Sequence, residues 1–270
     1  MRDDSGAPLP ILRHKDHLAP SVFTSDAFLR EARRQKGIPN GPVPDVCVLD
    51  PDGDIVRYLL AAGRARRLSA WACYHTDLYA FEHEGSRYGI VGCAVGAAFA
   101  VLVAEELFAS GCRFLVSMTS AGQVLSVRTP PYFIIIDRAL RDGGTSYHYL
   151  PPAEYSAADG RLIRLAEEPL AGTNVAVQVG ATWTTDAPFR ETGEAIAAAE
   201  HDGILAVEME AAALYAFAAA RNRPVLCCAH VTNQMGRVEG DFEKGVADGA
   251  QESLTVISQV ARRWRDGARP

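Results

Sequence analysis

The 270-residue chain contains no C-x-x-C pair, no H-E-x-x-H and no H-x-H, and its seven histidines are dispersed. A metal is therefore not expected, and no cofactor is expected either. There is no lysine run or basic stripe, and the net charge is −6, which argues against a nucleic-acid partner. No uninterrupted apolar run reaches the roughly 18 residues that a membrane helix needs. The longest candidates, "FAVLVAEELF" and "AAALYAFAAA", are short and bounded by charge. The opening "MRDDSGAPLPILRHKDHL" is charged and lacks the apolar segment of a secretory signal. These absences give the expectation of a cytoplasmic protein with no membrane partner. Cys47, Cys73, Cys93, Cys112, Cys227 and Cys228 lie mostly in apolar strand-like runs, and they are expected to be buried free thiols.

Hydrophobic residues make up 48% of the chain, enough for a sizeable core. Residues 1–43 read as an irregular N-terminal arm carrying one helix, "SDAFLREARRQKG", capped by Ser25 or Asp26 and stopped by Gly37. Residues 44–270 read as one α/β domain. "DVCVLD", "PYFIIIDRAL", "GTNVAVQVGATWTT" and "PVLCCAHVTN" have the look of buried strands. "DIVRYLLAAGR", "AAFAVLVAEELFASG", "RETGEAIAAAEHDG" and "DGAQESLTVISQVARRWRDG" look like helices between them. Such alternation implies an α/β sandwich with both sheet faces covered.

In open α/β sheets, ligands sit where strands end and helices begin. Three junctions here carry unusual residues. "SMTSAG", residues 117–122, is a strand running into a small-residue loop whose backbone N–H groups can meet an anion or a hydroxyl; a tight turn is the plainer alternative. "ATWTTDAPFRET", residues 181–192, sets Trp183 and Phe189 beside Asp186 and Arg190, which suits a flat heterocycle with carbonyl edges. A structural loop in which Asp186 caps the next helix fits it equally well. "LAVEMEAAAL" places Glu208 and Glu210 at the entrance to an apolar segment. On a regular helix i and i+2 lie about 200° apart, so the two acids converge only if the chain turns helical between them. Two first-turn acids favoured by the helix dipole would be the simpler account. The apolar neighbours imply burial, and buried carboxylates need partners such as vicinal hydroxyls.

Taken together, these segments resemble the nucleoside phosphorylase family of the uridine and purine type, which includes related nucleosidases. The resemblance covers roughly residues 45–262: "VLDPDGD", "VGCAVGAAFAVLVAEEL", "GCRFLVSMTSAG", "DGGTSYHY", "GILAVEMEAAAL" and "HVTNQ" follow one another in the family's order. It implies a single-domain, three-layer αβα sandwich with a mixed, partly barrel-like central sheet. It also implies a homo-oligomer, dimer or hexamer, with shared sites. The activity implied is cleavage of an N-glycosidic bond, with a nucleoside and inorganic phosphate as small-molecule substrates. By position, Glu210 would grip the ribose hydroxyls, Met209 pack under the sugar and Glu208 orient it. Glu208 and Glu210 thus stand as the catalytic pair. His17 would reach the sugar's 5′ end in a neighbouring subunit. Ser120 and Gly122 would meet phosphate, and Phe189, Arg190 and Asn233 the base.

The chain departs from the family at the phosphate. Ser117 stands at the strand arginine, "LDPDGD" brings Asp52 and Asp54 in place of an arginine, and Tyr74 or His75 stands at the neighbouring subunit's arginine. Arg57, Arg67 and Arg128 are the candidates to replace them. Asn233 stands where purine-specific members have a proton-donating aspartate, which favours a pyrimidine or an oxopurine. Phosphorolysis to free base and pentose 1-phosphate is the leading expectation. Hydrolysis by a nucleosidase and a non-catalytic nucleoside-binding role are the alternatives.

Overall fold

The computed structural model describes residues 9–170, 172–235 and 239–267. The first eight residues of the arm and the last three of the chain lie outside it. The elements run α1 (Ser25–Lys36), β1 (Val46–Asp50), α2 (Asp54–Ala61), β2 (Ala65–Arg67), β3 (Tyr79–His83), β4 (Ser86–Gly92), α3 (Ala97–Ala109) and β5 (Phe114–Gln123). They continue with β6 (Tyr132–Arg141), β7 (Tyr155–Ala157), α4 (Gly160–Leu170), β8 (Val177–Thr184), α5 (Gly193–His201), β9 (Ala206–Glu208), α6 (Ala211–Arg221), β10 (Val225–Asn233) and α7 (Ala250–Gly267).

All the strands join one mixed sheet. The pairings β5–β10, β10–β6, β6–β8, β8–β9 and β9–β5 close a five-stranded barrel. From β5 the sheet continues through β1, β4, β3 and β2. The strands of the inner sheet read as unbroken apolar runs because both faces are covered. Along β1, Cys47 and Leu49 join the core under α3 and α6, while Val46 and Val48 join the core under α2, α4 and α7. This is the three-layer sandwich with a partly barrel-like sheet that the resemblance implied.

Three local expectations are corrected. The cap of α1 is Thr24, whose Oγ1 accepts from the Ala27 N–H at 3.2 Å, one residue before the expected Ser25 or Asp26. "SMTSAG" is not a loop: β5 runs through it to Gln123, because β9 and β10 supply partners for its backbone. Helix α5 is capped by Thr192, whereas Asp186 accepts the Gly144 N–H at 2.7 Å and ties down the turn after β6. The arm's helix is packed on the body: Leu29 and Ala32 of α1 are buried beside Ala72 and Ala109. All six cysteines are free, as expected, but Cys93 is exposed.

Candidate active site

The chain turns from strand to helix between the two glutamates, as their spacing demanded. Glu208 ends β9 and Glu210 is the residue before α6, with φ −130° and ψ −38°. The change of conformation sends the two side chains to different places. Glu208 Oε2 accepts the backbone N–H groups of Glu210 and Ala211, each at 2.7 Å, so it caps α6 from two residues upstream. Its Oε1 accepts the hydroxyls of Thr182, at 3.1 Å, and Thr184, both on β8. With four internal donors, both Glu208 oxygens are engaged within the fold. Where the resemblance has Glu208 orient the ribose, its contacts here fix the entrance to α6.

Glu210 faces the other way. Its Oε1 accepts the Gly96 N–H at 2.7 Å and its Oε2 accepts the Thr119 hydroxyl at 2.9 Å. Gly96 is the residue before α3 and has φ +87°, a conformation that favours glycine, so the N–H aimed at Glu210 depends on that residue type. Each carboxylate oxygen has one internal partner and retains a lone pair for a ligand hydroxyl. Burial pushes the Glu210 carboxyl up to about 8, and the nearby Glu208 and Asp52 charges add to this. The hydrogen bonds from Gly96 and Thr119 oppose the shift. Met209, half-buried, lies between the two acids in the chain.

Across Thr119 lies a compact acidic pit at the ends of β1, β5 and β10. Asp50, Asp52, Asp54, Ser120, His230 and Asp248 line it, and it encloses about 10 Å³. That is the order of space a single water needs. The Ser120 N–H donates to Asp52 Oδ2 at 3.0 Å. Burial lifts Asp50 to about 7 despite the Val56 N–H it accepts, and the Asp52 and Asp54 charges push the same way. His230 is stacked on Phe133 and held down to about 4, by burial first and the Lys244 charge second.

Only two cations are found on this pit among the described residues, and both serve Asp54. Lys244 Nζ donates to Asp54 Oδ2 at 2.6 Å, and Arg57 forms an ion pair with Asp54 Oδ1. Arg57 also donates to the Asp52 carbonyl at 2.9 Å. The other two substitute arginines are elsewhere. Arg67 pairs with Asp77 on the outer strand, and Arg128 is exposed beside a cleft near α4. Lys244 had no sequence signal, since it lies in an irregular segment and meets Asp54 only through the fold.

The remaining expected contacts divide. Asn233, at the end of β10, is buried beside Gly122; its Oδ1 accepts the Met235 N–H at 2.9 Å, and its Nδ2 donates to Thr232. Gly122 is strand, paired with Val207 and Asn233, and a Cβ there would lie 2.5 Å from Met235 Sδ. Its glycine serves close packing in the barrel wall, which corrects its assignment to an anion loop. Ser120 keeps its predicted place, but its amide is already taken by Asp52. Phe189 and Arg190 begin near the site, because the Thr185 N–H donates to the Glu208 carbonyl at 2.9 Å. Both side chains are exposed, Phe189 fully. His17 Nε2 lies 3.1 Å from the Tyr147 carbonyl oxygen of its own chain.

The fold agrees with what the chain is similar to. A purine nucleoside phosphorylase of the DeoD type from Colwellia psychrerythraea is 27% identical over 159 residues, 58% of this chain and 68% of that protein. A crystal structure of uridine phosphorylase from Vibrio fischeri ES114 superposes with a TM-score of 0.69 at 19% identity, covering 83% of this chain and 94% of that one. A second crystal structure of that enzyme, complexed with 6-hydroxy-1-naphthoic acid, gives 0.68 at 21% identity, over 82% and 91% of the two chains. The family model of the phosphorylase superfamily matches residues 23–263, and the chain belongs to that family.

Proposed function

We propose that this chain cleaves the N-glycosidic bond of a nucleoside hydrolytically, with water in place of phosphate. The observation that carries this reading is Asp52 Oδ2 on the Ser120 N–H at 3.0 Å: a carboxylate of the chain occupies the donor expected to meet phosphate. A phosphate there would also face Asp50, Asp54 and Asp248. At about 4 Å and an effective dielectric constant of about 20, each pair of like unit charges costs roughly 4 kcal/mol, a cost that Lys244 and Arg57 offset at Asp54. Phosphorolysis would need Asp52 to leave Ser120, and Lys244 to exchange Asp54 for the anion.

The same carboxylates suit a cationic transition state. As the bond from C1′ to the base breaks, its electron pair leaves with the base and the sugar becomes oxocarbenium-like. Glu210, held by Gly96 and Thr119, meets the ribose 2′ and 3′ hydroxyls, and once its raised carboxyl has ionised it lends negative charge to that cation. Asp52 accepts a proton from the attacking water, whose oxygen bonds to C1′. The departing base takes up a proton, and the products are free base and free pentose. The Asn233 amide can serve a carbonyl edge, which favours a pyrimidine or an oxopurine.

The test is a nucleoside panel incubated with and without phosphate and analysed for the sugar product. Free pentose at a rate indifferent to phosphate is expected. Pentose 1-phosphate, or base release that requires phosphate, would overturn hydrolysis. Saturable nucleoside binding without any base release would overturn both catalytic readings.

A further inference from the structure

We propose that Cys73, His75 and Glu106 form a binding site for a transition-metal dication, zinc above all, on the face of the molecule where α1 and α3 meet. The three residues come from two places. Cys73 and His75 lie in the loop between β2 and β3, and Glu106 lies on α3. A thiol sulfur, an imidazole nitrogen and a carboxylate oxygen, one from each, all lie within 4.8 Å of one another. Around a tetrahedral zinc, with bonds of about 2.0–2.3 Å, such atoms stand roughly 3.5 Å apart, so small side-chain rotations close the set.

Glu106 supplies the independent reason. It is 2% exposed, and neither carboxylate oxygen has a well-formed hydrogen bond; the neighbouring Cys73 thiol is the one side-chain donor that favours its charge. A buried carboxylate so poorly partnered is costly, and native structures rarely keep one without a use. Burial pushes the carboxyl up, offset in part by the Cys73 thiol and the His75 and Lys36 charges. Lys36 does not neutralise it: its Nζ donates to the carbonyls of Ala72 and Cys73, at 3.1 Å and 2.6 Å.

Burial pushes the Cys73 thiol up, and Glu106 adds to this; Thr76 and the His75 N–H, which donates to Sγ at 3.4 Å, oppose the shift and would steady a metal-bound sulfur. Thr76 is held in turn by the Trp71 indole N–H, at 3.1 Å. A cavity of about 600 Å³, bordered by His75, Glu106, Phe28 and Leu102, opens beside two of the three ligands. It leaves a fourth position reachable by water. Mixed sulfur, nitrogen and oxygen donors select zinc or a neighbouring transition metal over magnesium or calcium. On binding, the Cys73 proton passes to solvent, and the three residues each give one lone pair to the metal.

The experiment uses the full chain, stripped with a chelator and titrated with Co²⁺ and with Zn²⁺ against a chromophoric competitor. One equivalent of metal is expected. Cobalt should show thiolate charge-transfer absorption and the intense visible bands of a four-coordinate ion. Cys73→Ser and His75→Ala should each weaken binding at least about tenfold, while Cys93→Ser leaves it unchanged. His75 is exposed, so its variant should fold normally, and zinc should raise the melting temperature of the parent chain but not of His75→Ala. Absence of the charge-transfer band, equal affinity in Cys73→Ser, or loss of binding in Cys93→Ser would overturn the site. None of these outcomes depends on the acceptor used at Asp52.

Discussion

Glu210 and Asp52 each accept a backbone N–H, Gly96 for one and Ser120 for the other; Gly96 precedes α3 and Ser120 lies within β5. The similarity stops there. Glu210 is buried at the start of α3 and α6, with both oxygens anchored and a lone pair left on each. It is a preorganised acceptor for a ligand. Asp52 is half-buried in a pit of further carboxylates, on a donor that an anionic substrate would otherwise use. On the proposed reading, the first would hold the sugar hydroxyls and the second would oppose an anionic acceptor.

The sharpest break in this comparison is Glu210→Ala. Losing hydrogen bonds from two ribose hydroxyls to a charged acceptor, at about 1.5–3 kcal/mol each, should lower kcat/KM about 10²–10⁴-fold. Glu210→Gln should do much of the same while leaving stability intact, measured by base release beside thermal unfolding. Glu208 should behave in the opposite way. Glu208→Ala orphans the buried N–H groups of residues 210 and 211, at about 1–3 kcal/mol each, and should destabilise the fold by about 2–6 kcal/mol in urea. Glu208→Gln keeps an oxygen for those amides and a donor for the threonines, so it should fold. If Glu208→Ala unfolds normally yet abolishes turnover, Glu208 belongs to the sugar after all. Asp52→Asn tests the acceptor side. Removing a general base should cut the hydrolytic rate about 10²-fold with substrate affinity nearly unchanged. An unaltered rate would remove Asp52 from the reaction.

The pH dependence of stability gives a further reading of the same two regions. The carboxyls of Glu210 and Asp50 are raised to about 8 and about 7 from ordinary values of 4.5 and 3.8. Between those limits the folded chain holds protons that the unfolded chain has released, so stability falls as pH rises, by up to about 1.4 kcal/mol per pH unit for each group. His230, held down to about 4 from 6.5, acts in the other direction: its contribution is lost as pH falls through that range. Glu210→Gln should flatten the fall between about pH 5 and 8. An unchanged slope in urea titrations would show that Glu210 ionises normally.

Much of the site could be seen in the chain because it is local. Two acids two residues apart must part company across a strand-to-helix turn, and the apolar residues around them force burial. The two extra acids of "LDPDGD" stood out for the same reason. What escaped notice needs partners distant in sequence. Lys244 reaches Asp54 across 190 residues, and Thr182 and Thr184 reach Glu208 across 26 and 24. "SMTSAG" reads as a loop because small residues have weak strand propensity, and only the pairing of β9 and β10 makes it a strand. Cys73 and His75 are two residues apart, yet no motif contains Glu106, which α3 supplies.

By itself the sequence determined the layers of the fold, the change of conformation at Met209 and the excess of acid after β1. Hydrophobic period and short-range spacing are enough for those. Tertiary structure alone decided which carboxylate faces the ligand and which one caps a helix. It also decided that Asp52 takes the Ser120 amide, and that a thiol, an imidazole and a poorly partnered carboxylate share one corner. The physical reason is that a carboxylate's role follows from which donors surround it, and those donors come from strands and helices that only the closed barrel brings together.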